Sequence, residues 1–240
     1  MFVVIEGIDG SGKGTQTKLL KKELEDAGYD VSYFSFPAYQ ETVYGNLVGK
    51  YLNGELGELP IEAASTLFAV DRFEKRDALL EALATADLVL CDRWCPSNMA
   101  YSVAKKYPDV GGSSNKLTNQ KIRDFARWID SVDYEVFHQP VPDIVFHLEI
   151  SPEKSAELIA KKEQRCYTDE VKDKYESDLS FQSRVAGLYS SLVSKTTRCR
   201  NWLTIKAELE DGTLRPESEI SNELVLSLFR FGFGHLVNSF

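Results

Sequence analysis

The sequence predicts an α/β protein: a doubly wound, parallel, five-stranded sheet flanked by helices. Strand-like apolar runs alternate with helix-like segments along the chain, as in repeated βαβ units. A glycine-rich turn follows the first apolar run and leads directly into a helical pattern. The segment 87–91 is almost entirely apolar, which is typical of a central parallel strand buried on both faces.

Taken in order, the patterns place strands at 3–6, 30–36, 87–91, 143–150 and 202–205. Helices are expected at 15–27, 41–53, 60–84, 97–106, 118–132, 175–195 and 216–230. Gly28 suits a helix C-cap, and Ser151 with Pro152 should begin a further helix. The glycine- and serine-rich stretch 108–119 is expected to be a loop. Since we find no repeat and no linker, we expect one domain over residues 1–240.

The composition of the chain excludes several classes of protein. The chain has 240 residues, 43% of them hydrophobic, enough for one large α/β core. No apolar run approaches the ~20 residues of a membrane helix, and no basic segment precedes the first strand, so we expect neither a membrane partner nor a signal peptide. The net charge of −9 argues against nucleic-acid binding. The spacing of the four cysteines fits neither zinc nor a disulfide framework, which favours reduced thiols in a cytoplasm.

Residues 7–15, Gly-Ile-Asp-Gly-Ser-Gly-Lys-Gly-Thr, indicate a phosphate-binding loop. Its glycines allow backbone N–H groups to curl around an anion, and the start of the next helix points its positive dipole end at the same place. Lys13 adds a point charge. The alternative is an ordinary strand–turn–helix corner, which the context of strand, loop and helix disfavours.

One position departs from the motif. A serine or threonine normally follows the lysine and holds Mg²⁺, whereas this chain has Gly14 and then Thr15. We therefore expect Thr15 to supply the hydroxyl, although direct ligation from this loop is open. Asp92 follows the predicted strand 87–91 and is a second candidate ligand, through water, since ligands sit at the carboxyl ends of such strands.

Arg93 stands next to Asp92, and its planar guanidinium can hold a phosphate through two hydrogen bonds. The alternative for this pair is a solvent-facing charge pair at a strand end. A phosphate loop elsewhere in the same chain makes the phosphate interpretation the better one.

Five segments together resemble one family. They are Ile5-Glu6-Gly7-Ile8-Asp9-Gly10 with Gly12-Lys13; Phe36-Pro37; Leu67-Phe68-Ala69-Val70-Asp71-Arg72; Asp92-Arg93-Trp94 with Ser97-Asn98 and Ala100-Tyr101; and Asp173-Lys174-Tyr175-Glu176 with Asp178. In these segments the chain resembles the thymidylate kinases, the P-loop nucleoside monophosphate kinases that phosphorylate dTMP with ATP. The resemblance covers neither the 108–119 loop nor the C-terminal extension, about 206–240.

The resemblance implies a P-loop NTPase fold, ATP and dTMP as small-molecule substrates, Mg²⁺ as cofactor and a homodimer. It implies that Lys13, Arg93, Asp9 and Arg165 are catalytic. The residues implied to bind ATP are Gly7, Gly10, Ser11, Gly12, Lys13, Gly14 and Thr15. Those implied to bind dTMP are Asp9, Phe36, Tyr39, Phe68, Arg72, Arg93, Asn98, Tyr101 and Tyr175.

Each implied role has a chemical reason. Phe68 offers a ring on which thymine can stack, and Arg72, four residues on, shares its helix face. Asn98 carries both a donor and an acceptor for a pyrimidine imide edge, and Tyr101 would crowd a ribose 2′-hydroxyl. Taken singly, Phe68 and Tyr101 fit core packing and Asn98 a surface amide. Their joint spacing with Arg72 and Arg93 favours the substrate site.

Two further departures matter. Members of the family often carry an arginine at or after the Phe-Pro pair, where this chain has Tyr39. A lid over the donor phosphates is expected at about 161–174, with Arg165 its best phosphate ligand, although such a charge run also suits a solvated loop.

Two alternatives to a dTMP kinase stay open. One is a kinase of the same fold for another nucleoside monophosphate, since the Gly-Lys-Gly-Thr of the loop also resembles adenylate kinases. The other is a nucleotide-binding sensor or switch with weak catalysis, against which the presence of Lys13, Asp92 and Arg93 argues.

Overall fold

A computed structural model describes residues 1–109, 120–165, 178–196 and 198–234. The strands are β1 (Phe2–Glu6), β2 (Val31–Ser35), β3 (Leu88–Asp92), β4 (Ile144–Glu149) and β5 (Asn201–Lys206). The helices are α1 (Lys13–Asp26), α2 (Val43–Leu52), α3 (Ile61–Glu74), α4 (Arg76–Thr85), α5 (Cys95–Lys106), α6 (Gln120–Ser131), α7 (Pro152–Arg165), α8 (Leu179–Leu188), α9 (Ser194–Thr196) and α10 (Glu217–Arg230). Two π-helical turns, Val132–Val136 and Tyr189–Val193, extend α6 and α8.

The five strands form one parallel sheet in the order β2-β3-β1-β4-β5, which confirms the predicted fold class. The strand β1 is central, with Ile5 beside Asp92 of β3 and Glu6 beside His147 of β4. Because all strands run the same way, their carboxyl ends share one edge. The loop after β1 and the Asp92-Arg93 segment after β3 therefore open on the same side.

Alternate residues of β1 enter the two layers of core. Val3 and Ile5 pack with the larger apolar cluster, whereas Phe2 and Val4 pack with the smaller one. This alternation follows from the two-residue period of a strand and shows that β1 is covered on both faces. The glycine-rich loop is thus mounted on the most buried strand of the sheet, which fixes its position.

The C-terminal extension is part of the fold as far as residue 234. Its helix α10 packs against α1, where Gln16 donates to the carbonyl of Glu217 (3.0 Å) and Ser221 donates to Glu23 (2.8 Å). The helix that starts at the phosphate loop is thus braced from the C-terminal side. That the whole chain is a single domain stays a prediction.

The structure corrects three predicted boundaries. The single helix expected over 60–84 is two helices, α3 and α4, with Lys75 between them. The sequence has no glycine or proline at this break. The break coincides instead with tertiary contacts of the two flanking arginines: Arg72 bonds to Asp133 and Arg76 to the carbonyl of His138. The helix expected from 175 begins at Leu179, where Asp178 caps it through the Phe181 amide (3.0 Å).

The third correction concerns the predicted lid. The helix α7 continues to Arg165, so residues 161–165 are helical, because the Lys, Glu, Gln and Arg of this stretch are good helix formers. Residues 166–174 lie outside the described residues, as do most of the 108–119 loop and Tyr175. Among the described residues, Cys91 and Cys95 are buried thiols. No described helix has the length and hydropathy to span a bilayer.

Candidate active site

The loop between β1 and α1 is shaped as a phosphate cradle. Gly10 and Gly12 take the left-handed conformation, with φ of 72° and 88°. A Cβ on Gly10 would lie 2.6 Å from the carbonyl oxygen of Ser155, so a larger residue does not fit there. Gly12 is the N-cap of α1, and as a glycine it has no side chain with which to cap this end. The first N–H groups of α1 are therefore available to an anion.

Lys13 is a buried cation folded over this loop. Its side chain donates to the carbonyl of Ile8 (2.7 Å) and approaches Ser11 Oγ (3.5 Å). Burial, assisted by the nearby charge of Arg93, lowers the pKa of Lys13 to about 8. The ammonium is thus poorly solvated, and phosphate oxygens entering the loop would stabilise its charged form.

Arg93 extends from the carboxyl end of β3 across to the loop. Its backbone is left-handed, with φ of 66°, which is uncommon for a residue other than glycine. The guanidinium pairs with Asp9, lies within hydrogen-bond distance of Ser97 Oγ (3.3 Å) and sits 5.2 Å from the ring centre of Tyr101. It is aimed at the space in front of the loop, where it can hold a second phosphate group.

Asp9 orients this part of the site. One of its oxygens accepts from Arg93, and the other accepts from Tyr101 (2.8 Å) and from Gln182 Nε2 (2.8 Å). Burial alone would raise the pKa of Asp9, but the charges of Arg93 and then Lys13 hold it below its ordinary value. Asp9 is therefore an anion whose hydrogen bonds fix Arg93 and Tyr101 relative to each other.

A cleft of about 400 Å³ extends from the loop between α2, α3 and α5. The residues predicted from the sequence that line it are Asp9, Lys13, Gly14, Phe36, Tyr39, Phe68, Arg72, Asp92, Arg93, Asn98 and Tyr101. The structure thus brings together every predicted acceptor-site residue that it describes. Tyr175 and the side chain of Arg165 lie outside the described residues.

Several aromatic side chains line the cleft. Phe68 is partly exposed and meets Tyr51 edge-on, with ring centres 6.4 Å apart. Phe36 is buried against Trp94 at 5.2 Å. Tyr39, 44% exposed, lines the cleft opening. The planar base of a nucleotide would be sandwiched by apolar surface here, and the phosphate of that nucleotide would point towards Arg93.

Two predicted base contacts are engaged within the protein. Arg72 donates to Asp133 at 2.7 Å, and both side chains are nearly inaccessible to solvent. Asn98 donates to the carbonyl of Ser65 (3.0 Å) and accepts from Ser65 and Ser102. Both line the cleft, but in this structure their polar groups bond within the protein. These bonds connect α3 to α5 and to the π-helical turn Val132–Val136.

Sequence reasoning missed four residues that support the site. Glu6 accepts from the backbone amide of Trp94, and Asp133 pairs with Arg72. Gln182 holds Asp9, and Asp71 accepts from the Ala38 amide at 3.0 Å, which fixes the Phe36–Ala38 segment. Glu6 and Asp71 lie within two of the five segments that resemble the family, so their charged side chains could have indicated a role in the site. Asp133 and Gln182 stand in segments with no such signal.

Asp92 offers a place for a metal ion. Its Oδ1 is buried and has no hydrogen-bond partner among the described residues, and a Cβ on Gly14 would lie 3.6 Å from its Oδ2. Gly14 thus leaves open the space between the loop and this carboxylate. Carboxylate oxygens and water are the ligands that Mg²⁺ prefers, so the residues present fit that ion.

The comparisons with known proteins agree with this geometry. A family model described as thymidylate kinase matches residues 5–123. The chain is 30% identical over 216 residues to the thymidylate kinase of Mycobacterium tuberculosis, a match that covers 89% of this chain and 95% of the relative. The chain belongs to the thymidylate kinase family.

Two other members of the family extend the comparison. The thymidylate kinase of Caenorhabditis elegans is 32% identical over 183 residues, covering 72% of this chain and 74% of the relative. A solved structure of the thymidylate kinase of Candida albicans superposes with a TM-score of 0.67 at 22% identity, covering 95% of this chain and 91% of that one. This second likeness concerns the fold, and it matches the parallel sheet described above.

Proposed function

We infer that the protein is a thymidylate kinase, which transfers the γ-phosphoryl group of ATP to dTMP and releases ADP and dTDP. One observation carries this conclusion: in a chain of this family, a phosphate loop and Arg93 face each other across the entrance of an aromatic cleft. The cleft supplies an acceptor site beside a donor site, which is the arrangement that transfer between two nucleotides requires.

The donor side is proposed to be the loop itself. The backbone N–H groups of residues 7–15 and the open N-terminus of α1 would hold the β- and γ-phosphates. Lys13 would bridge the donor and acceptor phosphates from its buried position. Phosphoryl transfer needs little covalent help from the protein, so the main contribution is to fix the two phosphates in line and balance their charge.

The acceptor side is proposed to place the phosphate of dTMP on Arg93 and its base on Phe68. The bond from Tyr101 to Asp9 holds the tyrosine ring against the sugar position, which would disfavour a 2′-hydroxyl. Arg72 Nε is buried and has no hydrogen-bond partner among the described residues, which supports a bond from this donor to the base. A bond between Asn98 and the base also stays a proposal and requires the amide to turn from Ser65.

Asp92, with the hydroxyl of Thr15, is proposed to hold Mg²⁺ through water. When bound, the ion supplies positive charge to the phosphate oxygens of ATP. The protein's own part is to place Asp92 at the end of β3 and to leave room beside Gly14.

An assay of ADP release over a panel of monophosphates tests the function. We expect dTMP to be the best acceptor, dUMP next and dCMP poor, because the amino group of cytosine inverts part of the hydrogen-bond pattern. Equal or faster turnover of AMP or GMP would support a kinase of the same fold with another substrate. Saturable nucleotide binding without turnover of any acceptor would support a sensor or switch.

We also propose a cytoplasmic homodimer. Exposed apolar side chains gather where α2 begins and α3 ends: Val43 is 68% exposed, and Phe73 is 45% exposed and packs on Phe137 with ring centres 5.0 Å apart. Val136, next in the chain to Phe137, is 63% exposed. Sedimentation of the purified protein tests this proposal, and Phe73→Glu should shift a dimer towards monomer.

A further inference from the structure

Glu6 is a fully buried carboxylate to which the proposed mechanism gives no task. It ends β1, one residue before the phosphate loop, and 0% of its surface is exposed. Oε1 accepts from the amides of Trp94 (2.8 Å) and Ser97 (3.3 Å), and Oε2 accepts from Ser97 Oγ (2.5 Å) and Tyr189 OH (2.9 Å). A buried carboxylate is costly, so a site with four donors indicates a carboxylate held in place for a purpose.

The backbone donors belong to the first turn of α5. Trp94 is the N-cap of this helix and its own side chain does not cap it, so Glu6 caps α5 from a different strand. Arg93 immediately precedes this turn. Its amide donates to the carbonyl of Ile5 (3.0 Å), and the next amide in the chain donates to Glu6. The left-handed Arg93 is thus pinned on both sides by the last two residues of β1.

A second connection reaches the Arg93 side chain. Ser97 Oγ donates to Glu6 and lies 3.3 Å from Arg93 Nη1, whose hydrogen it can accept. The carboxylate therefore acts on the guanidinium through one hydroxyl, and on the Arg93 backbone through one amide. Glu6 is also followed directly by Gly7, so the same residue is tied to the phosphate loop and to the arginine facing it.

We propose that Glu6 is a positioning residue, which holds the guanidinium of Arg93 at the point of phosphoryl transfer by capping α5 and orienting Ser97. This inference rests on the proposed function, because it assigns Glu6 its task through the contact of Arg93 with the reacting phosphates. A displacement of about 1 Å at such a group can cost on the order of 100-fold in rate.

The test is a double-mutant cycle on the full-length protein. Glu6→Gln keeps the shape and can still be accommodated, because the Ser97 and Tyr189 hydroxyls can turn to accept from the new amide. We expect it to lower kcat by about 10- to 100-fold, with little change in KM for ATP. In an Arg93→Ala background the same substitution should change kcat by less than about 2-fold, because the group it positions is gone.

Ser97→Ala provides a milder second variant that cuts only the side-chain connection. Its loss of kcat should likewise vanish in the Arg93→Ala background, which keeps the proposal testable if Glu6→Gln does not fold. Ser183→Ala is the matched control, since Ser183 is exposed on α8 and donates to the carbonyl of Leu179 in its own helix.

The outcomes separate this proposal from the proposed function. Near-normal kcat for Arg93→Ala would overturn the role of Arg93 itself. A severe defect in Arg93→Ala, together with equal losses from Glu6→Gln or Ser97→Ala in both backgrounds, would overturn the positioning role and leave Glu6 as a purely structural cap. Unchanged kcat in both single variants would overturn it as well.

Discussion

Lys13 combines burial with a charge that we propose the reaction uses, and burial lowers its pKa enough for the effect to be measured. Lys13→Ala should reduce kcat/KM at least ~100-fold, since loss of one charge-stabilising group typically costs about 2.7–4 kcal/mol. In the wild type, kcat/KM should fall as pH rises above about 8, where Lys13 of the free enzyme loses its proton. Steady-state rates between pH 6.5 and 9.5 measure this.

The control for Lys13 is its exposed neighbour on the same helix, Lys18. Lys18→Ala should leave both the rate and the pH profile unchanged. A pH profile of kcat/KM that is flat to pH 9.5 in the wild type would contradict the assignment. The free energy of unfolding should change with pH in the opposite direction to kcat/KM. The unfolded state holds the Lys13 proton more tightly, so the free energy of unfolding should rise between about pH 8 and 10.5.

The buried pair of Arg72 and Asp133 yields a prediction about stability. Asp133→Ala leaves the Arg72 cation uncompensated at a site where 3% of its side chain is exposed, and we expect a loss of about 3–5 kcal/mol. Urea unfolding monitored by circular dichroism measures it. Asp77→Ala is the control, because Asp77 pairs with Arg76 at 3.6 Å with 98% of its side chain exposed. Equal midpoints for the two variants would show that the buried pair is not required.

Local motifs explain which site residues could be predicted. Lys13, Phe68 and Arg93 stand within short segments whose spacing alone indicates their chemistry, and all three line the cleft. Asp133 is 61 residues from Arg72, and Gln182 is 173 residues from Asp9. Nothing near either residue in the sequence marks it, because its role comes from packing of distant elements. The ion pair between Arg72 and Asp133 could not be predicted for the same reason.

At the level of elements, strands were predicted well because each lies in a short apolar run bounded by polar residues. The helix boundaries were less accurate where tertiary contacts override local preference. The break at Lys75 carries no glycine or proline, whereas the extension of α7 to Arg165 follows from helix propensity that the prediction of a lid had set aside.

The helix α7 still leads to a prediction about Arg165. The helix begins beside the phosphate loop, where Ser155 donates to the carbonyl of Asp9, and Arg165 is its last residue. We predict that Arg165 binds the donor phosphates and that Arg165→Ala lowers kcat. Lys161→Ala, one turn earlier on the same helix, is the control. Cleavage of the 161–174 segment by trypsin should slow when a bisubstrate analogue is bound.

Two results would contradict that prediction together. They are an unchanged kcat for Arg165→Ala, and proteolysis that does not depend on the analogue. The charge run would then be a solvated stretch, and another cation would have to complete the donor site.

Across the whole molecule, the order of the strands creates the site. Because β1 lies between β3 and β4, the phosphate loop, Asp92-Arg93 and the start of α7 emerge side by side at one edge. The alternation of strands and helices predicted a sheet of this kind. It could not predict that α10 braces α1, since that contact joins the two ends of the chain.

The core beneath the site contains a histidine that should make the whole fold sensitive to acid. His147 on β4 is 3% exposed and stacks on Tyr189, with ring centres 4.9 Å apart. Burial, with a smaller contribution from the charge of Lys13, lowers the pKa of His147 to about 4 from about 6.5. Between these two pKa values His147 is protonated in the unfolded state and neutral in the folded state. The free energy of unfolding should therefore fall as pH drops.

The loss that His147 contributes between pH 6.5 and 4 should approach about 3 kcal/mol, since one pKa unit corresponds to about 1.4 kcal/mol. Carboxylates lose stability over the same range, so the measurement is a difference: urea unfolding of the wild type and of His147→Phe at several pH values. Phenylalanine keeps a ring against Tyr189 but cannot be protonated, so the variant should gain stability relative to the wild type as pH falls. His138→Gln, at an exposed position, is the control and should follow the wild type. Parallel curves for wild type and His147→Phe would show that His147 titrates alike in both states and that the acid sensitivity of the fold arises elsewhere.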